Sequence, residues 1–126
     1  MKILVTGGSG FIGTNFIDFL EKKSCSIRNI DINEPKNTEH SKYFELVDIN
    51  NYEALLRAMM DFQPDYVVHL AARTDLNGAD LNSYLANTKG VENIARCCKE
   101  SPSVKRLILA STKLIAPTDA QVSDLT

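Results

Sequence analysis

Residues 2–13 read KILVTGGSGFIG, an apolar run that ends in a cluster of glycines. The run predicts a buried strand, and the residues from Phe11 onward follow the helical period, so the glycines occupy a strand-to-helix turn. Gly7 permits the tight turn, Gly10 lets a pyrophosphate approach the backbone, and Gly13 lets helix and strand pack closely. The helix N-terminus offers unpaired N–H groups to the phosphates. The spacing therefore predicts a dinucleotide-binding loop, with a simple glycine turn as the alternative.

The rest of the chain alternates short apolar runs with segments of helical period. Strands are predicted over residues 2–6, 27–32, 43–47, 66–71 and 104–110. Helices are predicted over 11–22, between Asn50 or Asn51 and Pro64, and over 81–99, and a loop over 33–42. This alternation predicts an α/β fold, in which a parallel sheet carries helices on both faces. Ligands of such sheets bind at the carboxyl ends of the strands.

A carboxylate stands at the predicted end of the second strand. Asp31 follows Gly13 by 18 residues, close to the spacing of about 20 at which an acidic residue binds the adenosine ribose. A carboxylate there also repels a 2′-phosphate, which favours NAD over NADP. Arg28 in the same strand leaves NADP as an alternative cofactor. Asp31 could also be an exposed strand-end aspartate without a role in binding.

Polar or small side chains end the next three strands. Asp48 and Ile49 end the third strand, where an adenine ring would lie, although Asp48 could instead cap the following helix. Leu70, Ala71 and Ala72 end the fourth strand, and the small side chains there suit either a ligand or a packed helix. Ser111 and Thr112 follow the fifth strand. Their hydroxyls could face the cleft, or the two residues could form an ordinary strand-to-loop junction.

Composition excludes several classes of protein. The 126 residues carry 14 Lys plus Arg and 16 Asp plus Glu, a formal net charge of −2, without a basic run. This balance argues against nucleic-acid binding, and no apolar run is long enough to span a membrane. Glycines occur too early for a signal peptide. A cytoplasmic protein is therefore predicted.

The cysteines and histidines indicate no metal site. Cys25 stands alone and Cys97 and Cys98 are adjacent, so free thiols in a reducing cytoplasm are predicted. His40 and His69 lack partners at ligand-like spacing. His69, in a buried strand, is predicted to be a core histidine with its hydrogen bonds satisfied.

Taken together, these residues resemble the extended short-chain dehydrogenase/reductase family, the NAD-dependent epimerases and dehydratases of nucleotide sugars. The resemblance runs from residue 2 to about residue 112. Its motifs are TGGSGFIG at 6–13, Asp31, Asp48-Ile49, HLAA at 69–72, N-x-x-G-V-x-N at 87–93 and LILAST at 107–112. It implies a Rossmann-like doubly wound parallel sheet, incomplete at about five strands, in the order 3-2-1-4-5.

The resemblance also implies NAD as the cofactor and assigns roles to single residues. The pyrophosphate would be held by Gly7, Gly10, Phe11 and Ile12. The adenosine ribose would be bound by Asp31 and the adenine by Asp48 and Ile49. The nicotinamide side would be lined by Leu70, Ala71 and Ala72, with support from Asn87 on the long helix. The catalytic hydroxyl would be that of Thr112, with Ser111 beside it.

Catalysis in this family uses a Tyr acid/base and a Lys four residues later, and the sequence contains no such pair. Tyr43, Tyr52, Tyr66 and Tyr84 are followed at that spacing by Val47, Leu56, Leu70 and Thr88. We therefore expect the cofactor-binding portion of an epimerase or dehydratase, inactive by itself. The alternatives are a stand-alone dinucleotide-binding or sensor module and an NADP-dependent reductase of the same family.

Two expectations concern the end of the chain. Residues 1–115 are predicted to form the dinucleotide-binding region and residues 116–126 a polar tail. The fifth strand, with Leu107, Ile108 and Leu109, is predicted to lie at a sheet edge and to promote self-association. The family resemblance offers a homodimer as the alternative, since members of the family often build a helical dimer interface from the helix predicted over 81–99.

Overall fold

A five-stranded parallel sheet forms the centre of the chain. The computed structural model describes residues 1–75 and 77–111, so Thr112 and the predicted tail over 116–126 lie outside the described residues. The strands are β1 (Lys2–Thr6), β2 (Ser26–Asp31), β3 (Phe44–Leu46), β4 (Tyr66–His69) and β5 (Arg106–Leu109). Their order, β3-β2-β1-β4-β5, confirms the prediction. The strand order reverses between β1 and β4, which makes this the switch point of the sheet.

Helices cover both faces of the sheet, as predicted. The helix α1 (Phe11–Glu21) packs on the face that carries Val5 and Ile27. The helices α2 (Tyr52–Phe62) and α3 (Lys89–Glu100) pack on the opposite face, which carries Leu4 and Val67. Because successive side chains of a strand alternate between faces, β1 contributes to both cores.

The predicted loop over 33–42 is wrong in its second half. A short 3-10 helix spans Thr38–Tyr43, and the side chain of Asn37 caps it by accepting the Glu39 N–H at 3.1 Å. The helix is anchored on α1, because the fully buried His40 places Nε2 2.8 Å from Asp18 Oδ1. A long-range polar contact of this kind leaves no periodic pattern in the sequence.

The single long helix predicted over 81–99 is also wrong. A 3-10 helix, Leu81–Asn87, is separated from α3 by Thr88, whose φ and ψ of −120° and −78° are not helical. The Tyr84 hydroxyl donates to the Asp75 carbonyl at 3.0 Å and accepts from the Gly78 N–H at 3.1 Å. These contacts hold the 3-10 helix against the loop that precedes it. The chain therefore does not form one continuous helix, although its apolar residues follow the helical period.

The strand β5 lies at one edge of the described sheet. Ile108 and Leu109 are 49% and 46% exposed, so the apolar character predicted for this edge is present, while self-association stays a prediction. Cys25, Cys97 and Cys98 are unbridged. Within the described part of the chain, every helix is too short or too polar to cross a membrane.

Candidate functional site: a dinucleotide cleft

The glycine-rich turn presents the start of α1 to a cleft at the carboxyl ends of the strands. Gly10 is the N-cap of α1, and among the described residues no side chain caps this helix or places a carboxylate in its first turn. The first backbone bond of the helix runs from the Thr14 N–H to the Gly10 carbonyl at 2.9 Å. The preceding N–H groups have no partner within the helix. An anion is therefore the group that this helix end can bind.

Close backbone contacts require glycine at two positions of the turn. Gly7 has a φ of +74°, and a Cβ there would lie 2.6 Å from Ala71 N. A Cβ on Gly13 would lie 2.3 Å from the Gly7 carbonyl oxygen and 2.4 Å from Gly8 Cα. At Gly10, in contrast, the nearest atom that a Cβ would meet among the described residues is the Gly7 oxygen, at 3.3 Å. Gly7 and Gly13 are thus needed for packing, and Gly10 leaves open space on the cleft side.

Asp31 lies beside the turn and holds it. Its Oδ2 accepts the Ser9 N–H and its Oδ1 accepts the Asn33 N–H, both at 3.0 Å. Each carboxylate oxygen keeps a second lone pair that can accept a ribose hydroxyl. Arg28 does not join this group, because its guanidinium is paired with Glu45.

Asp48 borders the cleft without capping a helix. Its Oδ1 accepts the Asn50 N–H at 2.8 Å. The cap of α2 is instead Asn51, whose side chain accepts the Ala54 N–H at 3.1 Å. The alternative role of Asp48 as a helix cap is therefore wrong, and its exposed carboxylate is available to a ligand.

Ile49 is held in place by the motif on α3. Asn93 Nδ2 donates to the Ile49 carbonyl at 2.9 Å, and a Cβ on Gly90 would lie 2.5 Å from Ile49 Cδ1. Ile49 is consequently only 5% exposed. Ile32 lines the same cleft and is 62% exposed, so it offers more apolar surface to a ring. Ile32 was not among the predicted site residues. Its position directly after Asp31, at the carboxyl end of β2, is nevertheless a signal that it lies at the cleft.

The segment after β4 lines the other half of the cleft. It contains Leu70, Ala71 and Ala72. Asn87 holds the next residue, since its Oδ1 accepts the Arg73 N–H at 2.7 Å and its Nδ2 donates to the Arg73 carbonyl at 2.9 Å. Asn87 thus supports the site from the end of a 3-10 helix through the backbone, and not from the predicted long helix.

An ion pair that sequence reasoning missed borders this half. Arg73 Nε lies 2.8 Å from Asp75 Oδ2, and its Nη1 donates to the Ser83 carbonyl at 2.9 Å. The pairing raises the pKa of Arg73 and lowers that of Asp75. Both side chains belong to residues that line the cleft. Nothing in the sequence signals the pair, which depends on the path of the loop.

His69 is buried beneath the cleft, and only one of its two ring nitrogens has a hydrogen-bond partner among the described residues. Its Nδ1 lies 2.6 Å from Thr6 Oγ1, which also accepts the Ala71 N–H at 3.3 Å. The Thr6 hydroxyl thus contacts both the ring of His69 and the backbone just after β4. Among the described residues, Nε2 has no hydrogen-bond partner. The prediction of a fully satisfied core histidine is thus wrong for this atom.

We expect His69 to make the stability of the chain depend on pH. Burial lowers the pKa of His69 from its ordinary value of 6.5. Below about pH 6.5 the unfolded chain binds a proton that the folded chain does not, so the free energy of unfolding falls as the pH falls, by at most about 1.4 kcal/mol per unit. Urea unfolding at pH 7.5 and 5.5 should show a smaller decrease for His69→Asn. An equal decrease in both chains would contradict the assignment.

A second polar cluster lies outside the residues that line the cleft. Besides its bond to Asp18, His40 Nε2 lies 3.9 Å from Glu21 Oε2. The sequence spacing did not predict this grouping. Lys42 Nζ lies 2.9 Å from Glu21 Oε1 and lowers the pKa of Glu21. Since an ammonium group already neutralises Glu21, the cluster is best explained as an anchor for the 3-10 helix.

The fold brings most of the predicted residues together. The cleft has a volume of about 1260 Å³ and is lined by the predicted residues Gly7, Gly10, Phe11, Ile12, Gly13, Asp31, Asp48, Ile49, Leu70, Ala71 and Ala72. Phe11 and Ile12 are 88% and 65% exposed. Ser111 is exposed and is not among the lining residues, and Thr112 lies outside the described residues.

Known proteins are similar to the chain along its length. Residues 3–126 match the model of the NAD dependent epimerase/dehydratase family. The chain is 39% identical over 98 residues to GDP-6-deoxy-D-talose 4-dehydrogenase of Aggregatibacter actinomycetemcomitans, an alignment that covers 76% of the chain and 30% of that protein. It is 32% identical over 129 aligned positions to UDP-glucuronate 4-epimerase of Thermodesulfobacterium geofontis, which covers 89% of the chain and 39% of that protein.

Solved structures agree with these similarities. The structure of Thermus thermophilus UDP-glucose 4-epimerase in complex with NAD superposes with a TM-score of 0.79 at 30% identity, covering 89% of the chain and 38% of the epimerase. The chain therefore spans between about a third and two fifths of the length of these proteins.

Proposed function

Because the chain belongs to the NAD-dependent epimerase/dehydratase family, we propose that it is the cofactor-binding part of an enzyme that transfers hydride between a nucleotide sugar and NAD. The observation that carries the proposal is the uncapped start of α1, which opens on the cleft with the Asp31 carboxylate beside it. The two curated relatives are named for nucleotide sugars. This supports the same class of substrate here.

The residues of the cleft fit a dinucleotide. The pyrophosphate would lie against the free N–H groups at the start of α1, in the space that Gly10 leaves open. The adenosine ribose would donate to Asp31, and the adenine would lie between Asp48 and the exposed face of Ile32. The nicotinamide end would follow Leu70, Ala71 and Ala72. These assignments follow the predicted roles, except that Ile32 supplies more of the apolar cover than Ile49.

The chain contributes only part of the catalytic chemistry. Bound NAD supplies the hydride acceptor and donor of the redox step. Ser111 and Thr112 would orient a substrate hydroxyl at the end of β5. No tyrosine in the sequence has a lysine four residues later, so the acid/base pair of the family is not among these 126 residues. We expect cofactor binding without turnover from the chain alone.

Calorimetric titration of the purified chain tests cofactor binding. We expect saturable binding of one NAD per chain, and an affinity for NADP that is lower by at least about tenfold, because Asp31 repels the 2′-phosphate. Lack of saturable NAD binding would overturn the proposal, and tighter binding of NADP would favour the reductase alternative. Turnover of a nucleotide sugar by the same preparation would contradict the expected inactivity.

We propose four further features of the whole protein. The substrate is a nucleotide sugar, and neither nucleic acid nor membrane is a partner. The location is cytoplasmic, in line with the free cysteines. The protein either forms a homodimer or self-associates through the exposed edge of β5, and light scattering would detect both.

A further inference from the structure

A buried amide lies directly beneath the glycine-rich turn. Asn29, in the middle of β2, is fully buried, and its Nδ2 donates to Ser9 Oγ at 3.2 Å. Its Oδ1 is also buried and has no hydrogen-bond partner among the described residues. An unpaired buried acceptor lowers stability, so packing alone would favour an apolar residue at this position. Asn29 therefore needs another explanation, and its contact with Ser9 points to the turn.

The same amide explains a glycine that the dinucleotide-binding pattern does not. The pattern uses Gly7, Gly10 and Gly13 and places no demand on Gly8. The structure shows no positive φ at Gly8. A Cβ on Gly8 would lie 2.3 Å from Asn29 Oδ1, 2.5 Å from Asn29 Cγ and 2.9 Å from Ile17 Cδ1. Gly8 is thus required chiefly because Asn29 fills the space beneath the turn.

Two residues of one strand hold Ser9, one at its backbone N–H and the other at its hydroxyl. Asn29 binds the Ser9 hydroxyl from below, and Asp31 Oδ2 accepts the Ser9 N–H at 3.0 Å. Ser9 immediately precedes Gly10, the N-cap of α1. Any movement of Ser9 would shift the free N–H groups that follow.

We propose that Asn29 is a positioning residue for pyrophosphate binding, which acts through Ser9 and Gly8 to fix the turn at the start of α1. The inference rests on the proposed function, since it concerns the same dinucleotide. Asn29 does not touch the ligand in this arrangement. It keeps the turn in the conformation that receives the phosphates, and as a result its Oδ1 has no partner within the described part of the chain.

The test compares ligands with and without phosphates on the full chain. Asn29→Ala should weaken the binding of ADP by about tenfold, because the turn is no longer held, and should leave the affinity for adenosine within about twofold. The matched control is Ile27→Ala, a buried residue on the same face of the same strand. It should lower the melting temperature without changing the ratio of ADP to adenosine affinity.

A second variant separates positioning from packing. Gly8→Ala should unfold at a lower temperature than the unmodified chain, and the double variant Gly8→Ala/Asn29→Ala should recover that stability but not the affinity for ADP. Equal losses of ADP and adenosine affinity in Asn29→Ala, or no loss of either, would overturn the inference. Failure of the unmodified chain to bind ADP or NAD would instead overturn the proposed function, and the inference with it.

Discussion

Replacement of Gly13 by alanine is expected to remove most of the stability of the chain. The added Cβ would lie 2.3 Å from the Gly7 carbonyl oxygen and 2.4 Å from Gly8 Cα. Both contacts are with backbone, which cannot rotate away as a side chain can, so the turn and α1 would have to separate. We expect a loss of at least about 3 kcal/mol in the free energy of unfolding, measured by urea denaturation.

Gly10→Ala is the matched control, because it adds the same methyl group to the same turn. Its Cβ would come within 3.3 Å of the Gly7 oxygen and meet no other atom of residues 1–75 and 77–111, and its φ of −75° suits alanine. Stability should change by less than about 1 kcal/mol, while NAD should bind more weakly since the methyl group occupies the cleft. If Gly10→Ala destabilised the chain as much as Gly13→Ala, the separation of packing and binding roles would be wrong.

The fold could be predicted because its determinants are local or periodic. The apolar run of β1 and the glycines at 7, 10 and 13 fix a strand, a turn and a helix within residues 2–21. Apart from His69, β4 is a two-sided apolar run of the kind that helices bury in parallel sheets. The strand order itself came from the family resemblance, and the sheet confirms it.

The errors share a different cause, contacts between residues far apart in sequence. The break at Thr88 follows from bonds that Tyr84 and Asn87 make with the loop after β4. The 3-10 helix over Thr38–Tyr43 follows from the contact of His40 with Asp18. Neither contact involves a periodic pattern. A scan for hydrophobic period therefore could not find them.

The residues of the candidate site that lie at strand ends could be predicted from the sequence, whereas those placed by tertiary contacts could not. Asp31 and Asp48 occupy positions that a parallel sheet brings to one edge. Asn29, Arg73 and Ile32 gain their roles from three-dimensional neighbours. Ile49 shows the reverse case, since its spacing suits an adenine contact but Gly90 and Asn93 draw it into the core. Whether such a residue contacts a ligand or packs in the core depends on its burial, and sequence spacing does not determine burial.

Asp31→Asn is expected to weaken NAD binding by about 30-fold, or about 2 kcal/mol. The carboxylate accepts the Ser9 and Asn33 N–H groups with separate oxygens. An amide has only one oxygen, so its NH₂ group must face one of these donors. The variant loses that bond and the charge-assisted hydrogen bonds to the ribose. The glycine-rich turn is then also held less firmly.

The same change should abolish the preference for NAD over NADP. Removal of the charge removes the repulsion of a 2′-phosphate, so the two affinities should agree within about threefold. Calorimetric titration of both cofactors measures this ratio. Asp61→Asn, which removes an exposed carboxylate on α2 and changes the net charge equally, is the control that should keep the preference. If Asp31→Asn kept a strong preference for NAD, discrimination would reside elsewhere. The acidic Glu34, which also lines the cleft, would then be the next residue to replace.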